Sequence, residues 1–170
     1  MQILGIPVKD PQEIFTHLEN DTGIARTFLI ETMTQFAREN LGDPLFGLVL
    51  VGTDIPLKLE VAAYLRSNQG IEQNRIDRLK NPYLRQPIIA ISWGQDENGT
   101  DEITVIDGNH RYVKRAERGD KTIPCIIFRR QLWEIFLLPD HLSKRLVNEG
   151  FLNRVSGMIE KEKAHEKNKH

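Results

Sequence analysis

The chain has 170 residues, of which 39% are hydrophobic and 28% are charged, and its formal net charge is −1. This composition favours a packed core over global disorder, and the balanced charge gives no overall attraction to nucleic acid or to an acidic membrane. The single cysteine, Cys125, excludes an intramolecular disulfide framework and a cysteine-rich zinc site. We see neither a signal-peptide pattern nor an apolar run long enough to cross a bilayer, so we expect a cytoplasmic protein without a membrane partner.

The sequence of residues 1–44 predicts a helical N-terminal extension. Asp10 is a candidate N-cap for a helix over "DPQEIFTHLEN", with Pro11 at its first position. A second helix is predicted over residues 23–40, followed by Gly42 as the terminating residue. Its apolar stripe consists of Ile24, Phe28, Leu29, Met33, Phe36 and Ala37.

Residues 45–130 predict a central α+β domain. The apolar run "LFGLVLVG" predicts a buried strand, and Asp54 is the candidate N-cap of a helix over "IPLKLEVAAYLRSNQG". A further short helix over "IEQNRIDRLKN" ends before Pro82. The runs "PIIAISW" and "EITVIDG" then predict a β-hairpin with a long polar tip.

A helix over about residues 109–118, terminated by Gly119, connects this hairpin to a strand over "TIPCIIF". Pro124 lies inside that strand, so we expect the strand at a sheet edge or with a bulge. Residues 131–170 predict a C-terminal helical region that ends in a mixed-charge tail, which we expect to fray or to be disordered. The fold class is therefore α+β, a small mixed sheet with helices and with extra helices at both termini.

The five residues "DGNHR", 107–111, lie where the hairpin ends and the following helix begins. Free backbone N–H groups and the helix dipole make such a junction an anion site, and Gly108 permits a close approach of the ligand. Arg111 can donate two hydrogen bonds to a phosphate, and His110 can move a proton near neutral pH. Asp107 can hold Mg²⁺ or accept a proton. The simpler interpretation is a helix cap and a turn, with the arginines on a solvated face.

The order of strand, "DGNHRY", helix, Gly119 and "KTIPCIIF" resembles the ParB/sulfiredoxin superfamily. In that family a strand leads into a Gly-x-x-Arg loop that holds the phosphates of ATP or CTP, and an Ile-Pro strand follows. The resemblance covers about residues 87–128. The stretch "PYLRQPIIAISW" also looks like the family's Pro-Ile-x-Val strand before the hairpin, and a looser match extends back to "VLVGTDIPLKL".

Three departures from the family's motifs limit which branch of the family the sequence resembles. Asn109 stands where sulfiredoxins have their catalytic cysteine, which excludes thiolate chemistry at that position. His110 replaces the second arginine of the ParB motif. The residues after Phe128 show no clear helix-turn-helix, which argues against a chromosome-partition role. The Asp-Gly-x-His-Arg order is most similar to the free-serine-kinase branch.

The resemblance implies a nucleotide-binding protein that transfers or hydrolyses a phosphoryl group, with ATP or another nucleotide and Mg²⁺ as cofactors. The implied phosphate-binding residues are Gly108, Asn109, His110, Arg111 and Arg115. Asp107 would be the metal ligand, and the candidate catalytic residues are Asp107, His110, Asp54 and Glu60. In the kinase-like branch the catalytic acid comes from upstream of the phosphate loop, which makes Asp54 and Glu60 candidates. The acceptor is an unidentified small molecule or macromolecule.

Two alternatives remain open. The domain could be a non-catalytic regulatory or nucleic-acid-binding module in which Arg111, Arg115 and Arg118 contact a phosphate backbone. It could also be a ParB-like nuclease, which the lack of a carboxylate cluster makes weaker.

Overall fold

The computed structural model describes residues 2–10, 12–18, 22–141, 143 and 154–155. The chain divides into two compact units, one formed by residues 1–40 together with 131–170 and the other by residues 41–130. The terminal segments that the sequence predicted as two separate extensions therefore cluster in one unit. The predicted α+β class is confirmed.

In its described residues, the first unit combines short antiparallel strands with helical segments. Its elements are β1 (Gln2–Ile3), β2 (Ile6–Pro7), β3 (Gln12–Leu18), β4 (Ala25–Leu29), α1 (Ile30–Asn40), the last part of α6 (Arg130–Trp133), a 3₁₀ turn (Glu134–Phe136) and β9 (Arg154–Val155). β3 pairs with β4 on one side and with β9 on the other. Aromatic pairs fill the core: Phe28 meets Trp133 edge to face at 5.5 Å, and Phe36 lies 5.3 Å from Phe136.

Of the two predicted N-terminal helices, the first is wrong, and the second is correct only from residue 30 onward. Residues 12–18 form β3, and residues 25–29 form β4, so the helix begins at Ile30 rather than at residue 23. The alternation along β3 was hidden because its first inward residue is polar. Gln12 is fully buried and exchanges hydrogen bonds with Thr32 across the unit. The predicted charged tail lies outside the described residues.

The second unit is a mixed four-stranded sheet with helices. Its elements are β5 (Leu50–Pro56), α2 (Leu59–Asn68), α3 (Gln73–Arg78), α4 (Asn81–Leu84), β6 (Ile88–Gln95), β7 (Asp101–Asp107), α5 (Asn109–Glu117) and β8 (Thr122–Phe128). The strand order is β5-β8-β6-β7, in which β6 and β8 are parallel and each outer strand is antiparallel to its neighbour. The predicted hairpin, helix and strand over residues 88–128 are confirmed.

The core of this unit lies between one face of the sheet and the helices α2 and α5. Because side chains alternate along a strand, every second residue of β6 and β8 faces these helices. The buried cluster contains Ile88, Ala90, Ile123, Cys125 and Ile127 from the strands and Ala62, Leu65, Tyr112, Val113 and Ala116 from the helices. β5 and β7 run in the same direction, so their C-terminal ends lie at the same end of the sheet, and α2 and α5 both begin there.

Two local predictions in this unit are wrong. Pro124 lies in β8, which is flanked by β5 and β6 and is not an edge strand; the parallel ladder with β6 starts at Cys125, just past the proline, so the missing N–H disrupts no pairing there. Asp54 is not a helix cap, because it lies within β5 opposite Pro124 and α2 begins later, after Lys58. Pro82 lies in the first turn of α4, a helix the sequence did not predict.

Candidate functional site

The candidate site is the junction between β7 and α5. Asp107 ends β7 opposite Ile89, and Gly108 is the N-cap of α5 with φ of +92°. The first hydrogen bond of the helix runs from the Tyr112 N–H to the Gly108 carbonyl at 2.9 Å. The N–H groups of the three residues between them therefore point out of the helix start, which is the arrangement that binds anions.

Gly108 is required at this junction for two reasons. Its positive φ is a conformation that other residues adopt only with strain. A Cβ atom at this position would lie 2.5 Å from Ile88 Cγ2 and 2.7 Å from a terminal nitrogen of Arg111. The glycine thus lets the β6 side chain and the arginine guanidinium pack directly against the backbone of the helix start.

Arg111 lies in the first turn of α5 with only 14% of its side chain exposed. Its guanidinium donates to Gln86 Oε1 and to the Pro87 carbonyl, both at 3.2 Å, and lies 3.6 Å from Asp107 Oδ2. Its Nε–H is buried and has no hydrogen-bond partner. A positive group with one unused donor is therefore fixed beside the free N–H groups.

His110 contacts the start of α3. Its Nε2 accepts a hydrogen bond from the Glu72 N–H at 3.2 Å. Burial lowers the pKa of His110, and the nearby Arg75 lowers it further, while Glu72 opposes the shift. The imidazole is therefore neutral at neutral pH and carries its hydrogen on Nδ1, so the predicted role as a phosphate donor falls to Nδ1 alone.

Arg115 and Arg118 are held by protein groups away from the junction. Arg115 donates to Asp120 at 2.9 Å, to the Leu84 carbonyl at 3.1 Å and to the Thr122 carbonyl at 3.0 Å. Arg118 donates to both carboxylate oxygens of Asp120. Arg115 thus joins three segments of the unit and has little capacity left for the phosphate contact predicted for it.

The upstream candidates Asp54 and Glu60 lie apart from the loop. Asp54 is on β5 and Asp107 is on β7, the two edges of the sheet, so three strand spacings of about 14 Å in total separate their backbones. The two carboxylates therefore cannot share one metal ion. Glu60 lies in the first turn of α2 and contributes, after burial, to raising the pKa of Tyr112. The Tyr112 hydroxyl accepts a hydrogen bond from the Lys58 N–H at 3.1 Å, which ties the start of α2 to α5.

An open cleft of about 370 Å³ lies beside Asp54. Its walls are formed by Leu41, Gly52, Thr53, Asp54, Pro87, Pro124, Cys125 and Ile126. Pro87 also accepts the hydrogen bond from Arg111, so one residue borders both the cleft and the junction.

The oxygen atoms at the junction fit a magnesium ion in type but are few. Asn109 Oδ1 is buried without a hydrogen-bond partner, and Asp107 supplies a carboxylate two residues earlier in the sequence. Within the described part of the chain, no three His, Cys, Asp or Glu side chains form a metal-binding group. Two protein oxygen atoms can hold Mg²⁺ only if water molecules and substrate phosphates supply most of its other ligands.

Three residues that the sequence did not indicate hold the side chains of the junction: Gln86, Pro87 and Glu72. They lie at least 24 residues upstream of their partners, and no local pattern marks them.

No protein-family model matches the chain, and neither a curated protein nor a solved structure matches it. Among the described residues, no helix has the length and apolar character needed to cross a bilayer. The resemblance to the ParB/sulfiredoxin superfamily stays a prediction.

Proposed function

We propose that the protein binds the phosphates of a nucleotide at the start of α5 and transfers or hydrolyses a phosphoryl group, as a ParB/sulfiredoxin-like protein. The observation that carries the proposal is the position of Arg111. Its guanidinium lies against Gly108 at a helix start, and its Nε–H has no partner. A fixed guanidinium beside free backbone N–H groups is complementary to a phosphate.

The surrounding charges favour an anion at the same place. The exposed Arg75 is close enough to lower the pKa of His110, and the α5 dipole adds partial positive charge at its N-terminus. Asp107 is the exception, and its pairing with Arg111 at 3.6 Å offsets its charge.

The proposed chemistry assigns distinct roles to the junction and the cleft. Bound Mg²⁺, held by Asp107 and Asn109 Oδ1 together with the phosphates, would neutralise negative charge on the transferred group. Arg111 and the free N–H groups at the start of α5 orient the phosphates. The cleft beside Asp54 is the place for an acceptor, where that carboxylate can accept the proton of an attacking hydroxyl.

The nucleic-acid alternative receives less support from the geometry. It requires Arg111, Arg115 and Arg118 to present a continuous basic surface. Arg115 and Arg118 instead share the Asp120 carboxylate. A contact with the phosphate backbone of a nucleic acid would have to replace these hydrogen bonds.

The test is a nucleotide screen by thermal unfolding, with ATP, ADP and CTP at millimolar concentration, with and without Mg²⁺. A ligand that binds the folded state raises the melting temperature by mass action. We expect Arg111→Ala to weaken binding about ten- to a hundred-fold, because a charge-assisted hydrogen bond contributes roughly 1.5–3 kcal/mol.

Arg118→Ala is the matched control, since it removes the same group from the far end of α5. It should leave the nucleotide-induced shift intact. The proposal fails if no nucleotide shifts the wild-type protein, or if the two variants lose the shift equally.

A further inference from the structure

The strand β5 forms one edge of the four-stranded sheet, with β8 as its neighbour on the inner side. Hydrogen bonds of 2.9 Å at Val49 and at Leu57 continue the ladder with β8 beyond both ends of β5. Bonded pairs alternate along an antiparallel ladder, so Gly52 and Asp54 direct their N–H and C=O groups away from β8. In the described part of the chain, the only contact to these outward groups is from the Thr53 hydroxyl to the Asp54 carbonyl, at 3.5 Å. The outer edge of β5 is therefore an unused pairing site for a further strand.

The two edges of this sheet differ in how well they are protected against pairing with another chain. The other edge strand, β7, has register irregularities against β6 at two places and carries the carboxylates of Asp101, Glu102 and Asp107. Bulges and charged side chains are common means by which an edge strand is kept from pairing. β5 keeps a regular register over its whole length, has a single charge at Asp54, and has a proline only at its last position, Pro56. The β5 edge is therefore the one suited to accept a partner strand.

Exposed leucines lie just beyond both ends of β5. Leu48, two residues before the strand, is 80% exposed, and Leu59, three residues after it, is 67% exposed. Large apolar side chains grouped on a surface in this way are typical of an interaction site. In an antiparallel pair the start of each strand lies beside the end of the other, so Leu48 of one copy would lie close to Leu59 of a second. One symmetric pairing would thus cover the apolar residues at both ends.

A second copy of β5 fits this edge in antiparallel register about Thr53. With Thr53 opposite itself, Gly52 exchanges two hydrogen bonds with Asp54 of the second copy, and the symmetric pair exchanges two more. Val51 then lies opposite Ile55, and such pairs of β-branched side chains stabilise sheets. A two-fold axis at position 54 would instead place two carboxylates opposite each other, and an axis at position 52 would place each carboxylate opposite a leucine. The side chains therefore favour the axis at Thr53.

We propose that the protein forms a two-fold symmetric dimer in which the β5 strands of two copies pair antiparallel and join their sheets into one. The proposal rests on the free backbone groups, the charges and the exposed leucines of the β5 edge, and it does not depend on the proposed function. The dimer also changes the cleft beside Asp54. Gly52 of the second copy would lie opposite Asp54, so the second strand would add a wall to the cleft.

Sedimentation velocity of the whole chain, from micromolar to sub-millimolar concentration, tests the association. We expect reversible dimers, because pairing along one strand edge buries an interface of the small, weak class. Thr53→Lys places two like charges opposite each other on the axis, and should raise the concentration for half-dimerisation at least about tenfold. Glu102→Lys is the matched control, because it places a lysine at an exposed position of the other edge strand, and it should leave the equilibrium unchanged.

An equimolar mixture of Thr53→Lys and Thr53→Glu tests the symmetry of the pairing. Each variant alone carries like charges on the axis, whereas a mixed dimer carries opposite charges there. We therefore expect the mixture to form dimers at concentrations at which each variant alone is a monomer. Thr53 is exposed, so both variants should keep the fold, which circular dichroism verifies.

Cysteine cross-linking tests the register. Opposite residues of a non-bonded antiparallel pair have Cα atoms about 4.5 Å apart, which is within the range of a disulfide. With a mild disulfide oxidant, Thr53→Cys should form a covalent dimer. Val51→Cys should not, because the two copies of position 51 would be four residues out of line, or about 13 Å. The buried Cys125 does not compete.

A monomer at every concentration would overturn the proposal and would leave the β5 edge to an extended peptide of another protein. A dimer that persists in Thr53→Lys but is lost in Glu102→Lys would place the interface at the other edge and would overturn it as well. So would a charge-reversed mixture that does not associate, or equal cross-linking by the two cysteine variants.

Discussion

Replacing Gly108 by alanine tests the packing at the helix start more sharply than any other single change. The added Cβ would lie 2.5 Å from Ile88 Cγ2 and 2.7 Å from an Arg111 nitrogen, inside the range where something must shift. Ile88 is fully buried in the core and cannot move away freely. The substitution also forces an alanine to adopt φ of +92°.

The expected cost is the sum of two separable contributions. The left-handed backbone costs alanine roughly 1–2 kcal/mol, and overpacking against a buried side chain costs typically about 1–3 kcal/mol. Gly119→Ala is the matched control, because Gly119 lies at the other end of α5 with φ of +91° and nothing within 4 Å of its Cβ position. The control should therefore lose only the backbone contribution, and the difference between the two variants should be about 1–3 kcal/mol.

Urea denaturation followed by circular dichroism gives the free energy of unfolding of both variants, and an unchanged denaturant slope would show that the comparison is between like states. Equal destabilisation by the two alanines would refute the close packing of Ile88 and Arg111 on Gly108. It would also remove the observation on which the anion site depends.

Two further predictions concern buried groups of the same unit. Tyr112→Phe removes the hydroxyl that accepts the Lys58 N–H, and should lower the free energy of unfolding by about 0.5–1.5 kcal/mol in urea denaturation, whereas Tyr64→Phe, at an exposed position, should change it by less than about 0.5 kcal/mol; equal effects would exclude the link between α2 and α5. Burial raises the pKa of the Cys125 thiol to about 12, so a disulfide reagent at pH 8 should leave the folded protein unmodified and label it fully in urea, and rapid labelling of the folded chain would contradict the buried position.

The sequence predicted well those features whose signals are contiguous. The hairpin of β6 and β7, the glycine at the helix start and the helix ended near Gly119 all follow from local patterns, and all are confirmed. Residues 107–109 could be placed at a strand-to-helix junction because an apolar run, a glycine and a basic helical segment follow one another directly.

Features that depend on distant partners were not predictable. Gln12 broke the alternation of β3 because its amide is satisfied by Thr32, twenty residues away. Asp54 carries a typical capping side chain, but β5 continues through it because β8 pairs with it. The sequence of residues 72–87 indicates only a basic helix. Side chains of α5 hold this segment mostly through hydrogen bonds to its backbone groups, and no sequence pattern encodes such bonds.

The most direct test of the anion site is a titration with ATP followed by the backbone amide signals of the isotope-labelled protein. A phosphate at the start of α5 must change the N–H signals of residues 109–111 most strongly, because these groups would donate to it. We predict the largest shifts there, a saturating response, and loss of that response in Arg111→Ala but not in Arg118→Ala. Saturating shifts confined to other residues, or no shifts at millimolar ATP, would contradict the assignment of this junction as the nucleotide site.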